Sequence, residues 1–145
     1  MMDIFNLSND LIVRKNSFNQ ENIELQDHIR WFTNKINSDD CIFYVAKSKK
    51  NDFIGYVRFD KENEKEYVIT IHLSKEFRGR GLGYKIIKDT SNLFFEDCVA
   101  DIIHAYIKKD NHASLKSFLK CRYEIIGEKI INNQICLRLK CCKFL

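Results

Sequence analysis

Between an alternating apolar run that ends at Leu73 and an amphipathic stretch that begins at Leu82 stands Arg78-Gly79-Arg80-Gly81-Leu82-Gly83. Three glycines in six residues, with two arginines among them, give a main chain the means to close around an anion. The first N–H groups of a helix have no partner within it, and the helix dipole adds about half a positive charge there. Glycine lets that backbone approach phosphate oxygens with no Cβ in the way. The chemistry on offer is capture of a phosphate or diphosphate by main-chain amides. Two other glycine loops fail on spacing. A P-loop closes on Gly-Lys-Ser/Thr, whereas Tyr84 follows Gly83 here, and a GxGxxG turn needs a glycine where Tyr84 stands.

The turn requires a strand before it and a helix after it, and the pattern supplies both. Tyr67, Ile69, Ile71 and Leu73 alternate onto one face of a strand running from Tyr67 to Leu73. Leu82, Ile86, Ile87, Leu93 and Phe94 recur at helical spacing. Upstream, Leu11-Ile12-Val13 reads as a short first strand. Ile23 to Ile36 carries Ile29, Trp31, Phe32 and Ile36 at spacings for one or two short helices. Asn37-Ser38-Asp39-Asp40 is a polar turn. Cys41 to Ala46 and Phe53 to Phe59 are rich in β-branched and aromatic residues, hence strands. Downstream, Asp101 to Ile107 is a strand, and Asn111 can cap a helix bearing Leu115, Phe118 and Leu119 on one face. Tyr123 to Ile131 and Gln134 to Leu139, divided by Asn132-Asn133, form a closing hairpin. The expected architecture is a mixed α/β domain with an antiparallel meander at its centre and about four helices.

A chain of 145 residues suits one domain, here 1–145. No apolar run approaches the roughly 18 residues of a membrane span, and Met1 to Asn9 lacks a basic-then-apolar leader. The expectation is a cytoplasmic protein with no membrane partner. A net charge of +4 suits a small anionic ligand and falls short of a nucleic-acid-binding domain. Cys41, Cys98, Cys121 and Cys136 lie singly in apolar segments and read as buried thiols. With no CxxC pair and no histidine cluster, no metal site is expected.

Arg78-x-x-Gly81-x-Gly83 between strand and helix resembles the acetyl-CoA diphosphate motif of the GCN5-related N-acetyltransferases, the GNAT family. The second half of the chain agrees: Asn111, Ser114, Phe118 and Arg122-Tyr123, the last standing where the family has a Gly-aromatic pair, follow the next strand at the family's spacing. The resemblance implies a GNAT-like fold with a largely antiparallel, splayed sheet. It also implies direct transfer of an acetyl group from acetyl-CoA to an amine. Ile71 and Leu73 would pair with pantetheine through their main chains, and a Leu73 N–H would polarise the thioester carbonyl. Amides from Gly79 through Arg80, Gly81, Leu82 and Gly83 to Tyr84 would hold the diphosphate. Arg78, Arg80 and Lys116 would attend the phosphates, with Asn111, Ser114 and Phe118 completing the cofactor side.

Many family members place an acidic tyrosine where this chain has Phe118, which has no proton to give. Ser114, a bound water, or departure of CoA as thiolate replaces it. For the base, His72, Glu66 and Tyr67 lie on the appropriate strand; His72 has the most suitable ordinary pKa, although alternation points it away from Ile71 and Leu73. His28-x-x-Trp31-Phe32 and Gly55 to Asp60 further resemble members that acetylate nucleotide-linked amino sugars. Trp31 offers a stacking surface, Arg58 a phosphate partner, and His28 lies one helical turn from Trp31. The plainer readings are that Trp31 packs its helix on the sheet and that Arg58 is a surface charge. An acceptor at a protein N-terminus and a non-catalytic acetyl-CoA sensor are the competing functions. The chain is expected as a monomer, or as a homodimer formed through its apolar last strand at Cys141 to Leu145.

Overall fold

The computed structural model describes residues 1–143. Three helices come first: α1 (Met2–Ser8), α2 (Leu11–Asn16) and α3 (Leu25–Ile36). An antiparallel meander follows, made of β1 (Cys41–Lys47), β2 (Phe53–Lys61) and β3 (Glu66–Leu73). Beyond a 3-10 turn at Lys75–Phe77 come α4 (Leu82–Asp97), β4 (Ile102–Lys108) and α5 (His112–Lys120). The hairpin of β5 (Glu124–Ile131) and β6 (Gln134–Cys142) closes the order. Among the described residues one sheet takes six strands in the order β1-β2-β3-β4-β6-β5, and β3 with β4 is its single parallel pair. The mixed α/β, largely antiparallel architecture is the one expected, with five α-helices among the described residues rather than about four.

Alternation gives the sheet two unlike faces. On one, Val57, Phe59, Ile69, Ile103, Ala105 and Leu139 are enclosed by Ile87 and Phe94 of α4 and Phe118 of α5. Burying each such large side chain contributes about 1.5–3 kcal/mol. The other face carries Tyr56 opposite His72 and Arg58 opposite Thr70, with Val68 beside His104. Helices α1 to α3 cover one end of it through a second cluster of Ile4, Leu7, Val13 and Tyr56. These are called below the α4 face and the α2 face.

The strand expected at Leu11-Ile12-Val13 is instead the first turn of α2. Asp10 Oδ1 accepts the N–H groups of Ile12 at 3.0 Å and Val13 at 3.2 Å, a side-chain cap that commits the backbone to helix. Val13 is buried against α1 while Leu11 stays exposed, so packing and the cap together override local β preference. The closing hairpin turns at Asn132 (φ 48) and Asn133 (φ 59), the left-handed pair that a two-residue turn favours. The last strand is not the free edge proposed for a dimer, because β6 lies between β4 and β5. Phe144 and Leu145, part of that expectation, lie outside the described residues. All six cysteines are free thiols.

Candidate active site

Strands β3 and β4 pair over Glu66–Val68 and Ile102–His104 and no further, although β3 runs on to Leu73 and β4 to Lys108. A slot therefore opens toward the C-terminal ends of two parallel strands. The phase of β3 follows from its other neighbour. Ser74 N–H donates to Ile54 O at 2.8 Å, so His72 and Thr70, in step with Ser74, turn their main-chain groups toward β2. Ile69, Ile71 and Leu73 turn theirs into the slot.

At the end of β3 the chain enters the glycine turn. Gly79 (φ 71) and Gly81 (φ 72) are left-handed, a conformation that costs an L-residue about 1–2 kcal/mol. Gly81 is the N-cap of α4; no side chain caps that helix and no acidic residue lies in its first turn. The amides of Leu82, Gly83 and Tyr84 thus face outward beneath the positive end of the helix dipole. A Cβ on Gly83 would meet Ser117 Oγ at 3.4 Å, so Gly83 is where α5 closes on α4. Ser117 was not singled out in the sequence; its place one turn after Ser114 was the only signal. Lys120 lies 4.7 Å above the Tyr84 ring and Arg80 5.5 Å above Phe77, bringing two cations beside the turn. Amides, glycines and flanking cations of this kind fit a diphosphate.

Arg78 does not reach outward as expected. Its Nε donates to Leu73 O at 2.8 Å, its Nη2 to Asp10 at 2.8 Å, and its Nη1 is buried. It braces the turn against β3 and α2. Asn111 Oδ1 accepts the Ser114 N–H at 3.3 Å, as a helix cap, and Lys116 is exposed. Phe118 belongs to the core: it is 2% exposed and lies edge-on to Tyr123, whose hydroxyl meets Ser91 Oγ at 2.9 Å. Arg122 takes φ 65 where the resemblance expects glycine.

On the α2 face, His72 Nδ1 bonds the Tyr56 hydroxyl at 2.8 Å, and that hydroxyl also meets Ser8 Oγ at 3.3 Å. Burial, followed by the charges of Arg58, Arg14 and Arg78, lowers the His72 pKa to about 3. The imidazole stays neutral and holds a proton too weakly to serve as base near neutral pH. His28 and Trp31 do share a helix face, with ring centroids 5.4 Å apart, but that face is turned inward. His28 is 1% exposed, packed against Phe5 and Phe32, and does not line an open cleft. Arg58 lies 5.1 Å above the Trp31 ring while its Nε donates to Asp60 at 2.6 Å. Lys35 binds the same carboxylate at 2.5 Å; burial pushes the Asp60 pKa up, but these two cations outweigh it and hold the group below its ordinary range.

At the foot of the slot, His104 Nε2 lies 3.0 Å from Glu66 and 3.9 Å from Glu62, with Arg138 Nη2 at 3.4 Å. Tyr106 donates to Glu62 at 3.0 Å. Glu62, Glu66 and His104 stand close enough to hold a cation, which the Arg138 guanidinium beside them opposes. Of this group only Glu66 was named from sequence. His104 and Tyr106 alternate against Ile103, Ala105 and Ile107, a period-two signal that puts them on the polar face.

A slot between parting strands, with a glycine-rich helix start at its mouth, is the arrangement of an acyltransferase that draws its acyl group from a nucleotide-linked carrier. Residues 2–124 match the family model described as the acetyltransferase (GNAT) domain, and the chain belongs to that family. It is an N-acetyltransferase. Over 125 residues it is 24% identical to the acetyltransferase PseH of Campylobacter jejuni subsp. jejuni serotype O:2, covering 86% of this chain and 78% of that one. Its fold is similar to that of spermidine N-acetyltransferase from Vibrio cholerae, solved with CoA and spermine. The TM-score is 0.88 at 17% identity, over 97% of this chain and 88% of that one. Aminoglycoside acetyltransferase AAC(6')-Ib, solved with ribostamycin and coenzyme A, superposes with a TM-score of 0.84 at 15% identity, over 98% of this chain and 87% of that one. No helix among the described residues is long and apolar enough to cross a membrane.

Proposed function

We propose that the chain transfers an acetyl group from acetyl-CoA to the primary amine of a small molecule, and that a nucleotide-linked amino sugar is the first acceptor to try. The observation that carries this reading is the slot itself: β3 leaves its partner after Val68, and the open amides of α4 stand at the slot's end. The diphosphate of acetyl-CoA would lie on the amides of Gly79 to Tyr84. Main-chain groups of Ile71 and Leu73, which face the slot, would pair with the pantetheine arm. A Leu73 N–H aimed at the thioester oxygen would be worth roughly 10²–10³ in rate.

The α4 face is filled by α4 and α5, and the cofactor would lie along it, so in this reading the amine arrives from the α2 face. Glu66, half-buried and held by His104, lies seven residues along β3 from Leu73, about 23 Å of extended strand, so we place it opposite a part of the acceptor remote from the reacting amine. His104 and Asn63 hydrogen bonds hold the Glu66 pKa low, so it is suited to attracting a cationic group rather than to removing a proton. With Phe118 in the core, sulfur protonation falls to Ser114 or water, or CoA leaves as a thiolate, whose ordinary pKa of about 8.5 permits that.

The amino-sugar acceptor is supported by the PseH similarity; Arg58 and Trp31 are engaged with each other and with Asp60 and do not add to it. A polyamine acceptor is the second reading, favoured by the carboxylates Glu62 and Glu66 at the foot of the slot and opposed by the Arg138 guanidinium beside them. Release of CoA thiol against a panel of UDP-linked amino sugars, spermidine, and a peptide with a free N-terminus separates them. Turnover confined to the amino sugars upholds the first reading, turnover of spermidine the second. Acetyl-CoA binding without thiol release from any amine would leave a sensor.

A further inference from the structure

Residues 10 to 18 lie across the α2 face at the mouth of the slot, tied down on both sides of it. At the β3 side, Asp10 accepts Arg78 Nη2 at 2.8 Å. At the β4 side, Lys108 Nζ donates to Lys15 O at 2.9 Å. One strand farther, on β6, Gln134 Nε2 donates to Phe18 O at 2.9 Å. The segment is also braced from within, because Arg14 Nη1 donates to Asn19 O at 2.9 Å and Glu21 O at 3.2 Å. Lys108 is 8% exposed and stands 6.0 Å from the Phe18 ring.

Two features make these ties more than packing. Both long-range donors bind main-chain carbonyls, so they fix the path of the backbone whatever side chains stand at 15 and 18. A lysine ammonium this enclosed costs free energy that a leucine of similar reach would not. Burial lowers the Lys108 pKa accordingly. An acceptor coming from this face must pass beneath the strap, whereas an extended peptide needs an open groove of about 3.3 Å per residue.

We propose that Lys108 and Gln134 determine acceptor size by holding residues 15–18 across the acceptor side of the slot, admitting small amines and keeping peptides and bulk water from the thioester. This rests on the reading above that the amine enters from the α2 face. With the strap loosened, water attacks the thioester carbon in place of the amine. A C–O bond forms, the C–S bond breaks, one water proton goes to the sulfur and the other to solvent, and acetate and free CoA thiol are released.

The test is the double variant Lys108→Met/Gln134→Leu, compared with each single variant and the unaltered chain. Four readouts are taken: deuterium exchange of residues 12–23, thiol release from acetyl-CoA with no amine, thiol release with a hexapeptide bearing a free α-amine, and thermal stabilisation by acetyl-CoA. Expected are exchange at least about tenfold faster in that segment, for two lost hydrogen bonds of about 1 kcal/mol each, a several-fold rise in amine-free thiol release, and new turnover of the hexapeptide. Stabilisation of the variant by acetyl-CoA should be unchanged. Unaltered exchange would overturn the proposal, as would faster exchange with neither water nor peptide gaining access. If acetyl-CoA fails to stabilise even the unaltered chain, the fault lies with the cofactor reading instead.

Discussion

On the α4 face, Phe59 and Phe94 stack with centroids 4.2 Å apart, and Ile103, Ala105 and Leu139 are fully enclosed. On the α2 face, the same strands present Arg58, Asp60, Glu66, His104 and Arg138, each engaged with named polar partners. The first face is held by burial, which has no direction and tolerates many side chains of suitable volume. The second is held by hydrogen bonds and ion pairs, which depend on geometry and leave polar atoms unpaired when a partner is lost. In the proposed function, cofactor binding would fall to the edge of the robust face and acceptor choice to the directional one.

The comparison breaks first if the α4 face is not the principal source of stability. Phe94→Ala should cost about 3–5 kcal/mol in urea unfolding, since Phe94 is 0% exposed and touches Phe59, Tyr67 and Phe95. A loss below about 1 kcal/mol would place the core elsewhere.

The α2 face is sharpened by pH. His72 titrates at about 3 in the fold, against about 6.5 in the unfolded chain. The unfolded chain therefore binds the extra proton between those values, and stability falls as pH drops through that window. From about pH 7.5 to 5 this contributes a loss of about 2 kcal/mol, which His72→Gln should remove. An identical pH profile in the variant would show that the imidazole is not held neutral.

Asp60 has the opposite sign of charge and a lower window. Its folded pKa is held down, so its contribution is complete above the ordinary carboxylate value of about 3.9 and is lost as pH falls through the folded one. Asp60→Asn should cost about 1–2 kcal/mol at neutral pH, a figure reduced because the three groups keep some solvent contact. It should also flatten the acid limb of the profile; no change in either would make the Lys35–Asp60–Arg58 group incidental.

The smallest effect is expected at Ser114. Ser114→Ala should lower turnover by less than about tenfold, because a CoA thiol can leave without an acid, and should affect acetyl-CoA affinity still less. Unchanged turnover would remove Ser114 from the chemistry.

The same division explains what could be read in advance. Strand alternation at Tyr67 to Leu73 and helical recurrence at Leu82 to Phe94 are properties of the chain alone, so the meander, the glycine turn and the order of later elements were legible. The first helix turn at Leu11 was not, because a cap from Asp10 and burial of Val13 decide it against local preference. Roles on the α2 face were the hardest. That His28 turns inward depends on where α1 packs, and that Arg78 braces rather than binds depends on Asp10, sixty-eight positions away. Main-chain direction at Ile71 and Leu73 was implied by the family resemblance and agrees with the β2–β3 phase.

The central claim, that the glycine turn holds acetyl-CoA, is tested most directly by thermal unfolding with and without acetyl-CoA, in the unaltered chain and in Gly81→Trp. Nothing in the fold lies within 4 Å of a Cβ at Gly81, so the substitution covers the turn without crowding the core. Its left-handed φ lowers the variant's own stability by about 1–2 kcal/mol. At about 100 times its Kd, acetyl-CoA should stabilise the unaltered chain by about 2.7 kcal/mol, a rise of several degrees, and should leave folded Gly81→Trp unmoved. Equal shifts in both proteins, or no shift in either at millimolar acetyl-CoA, would contradict the assignment of the turn.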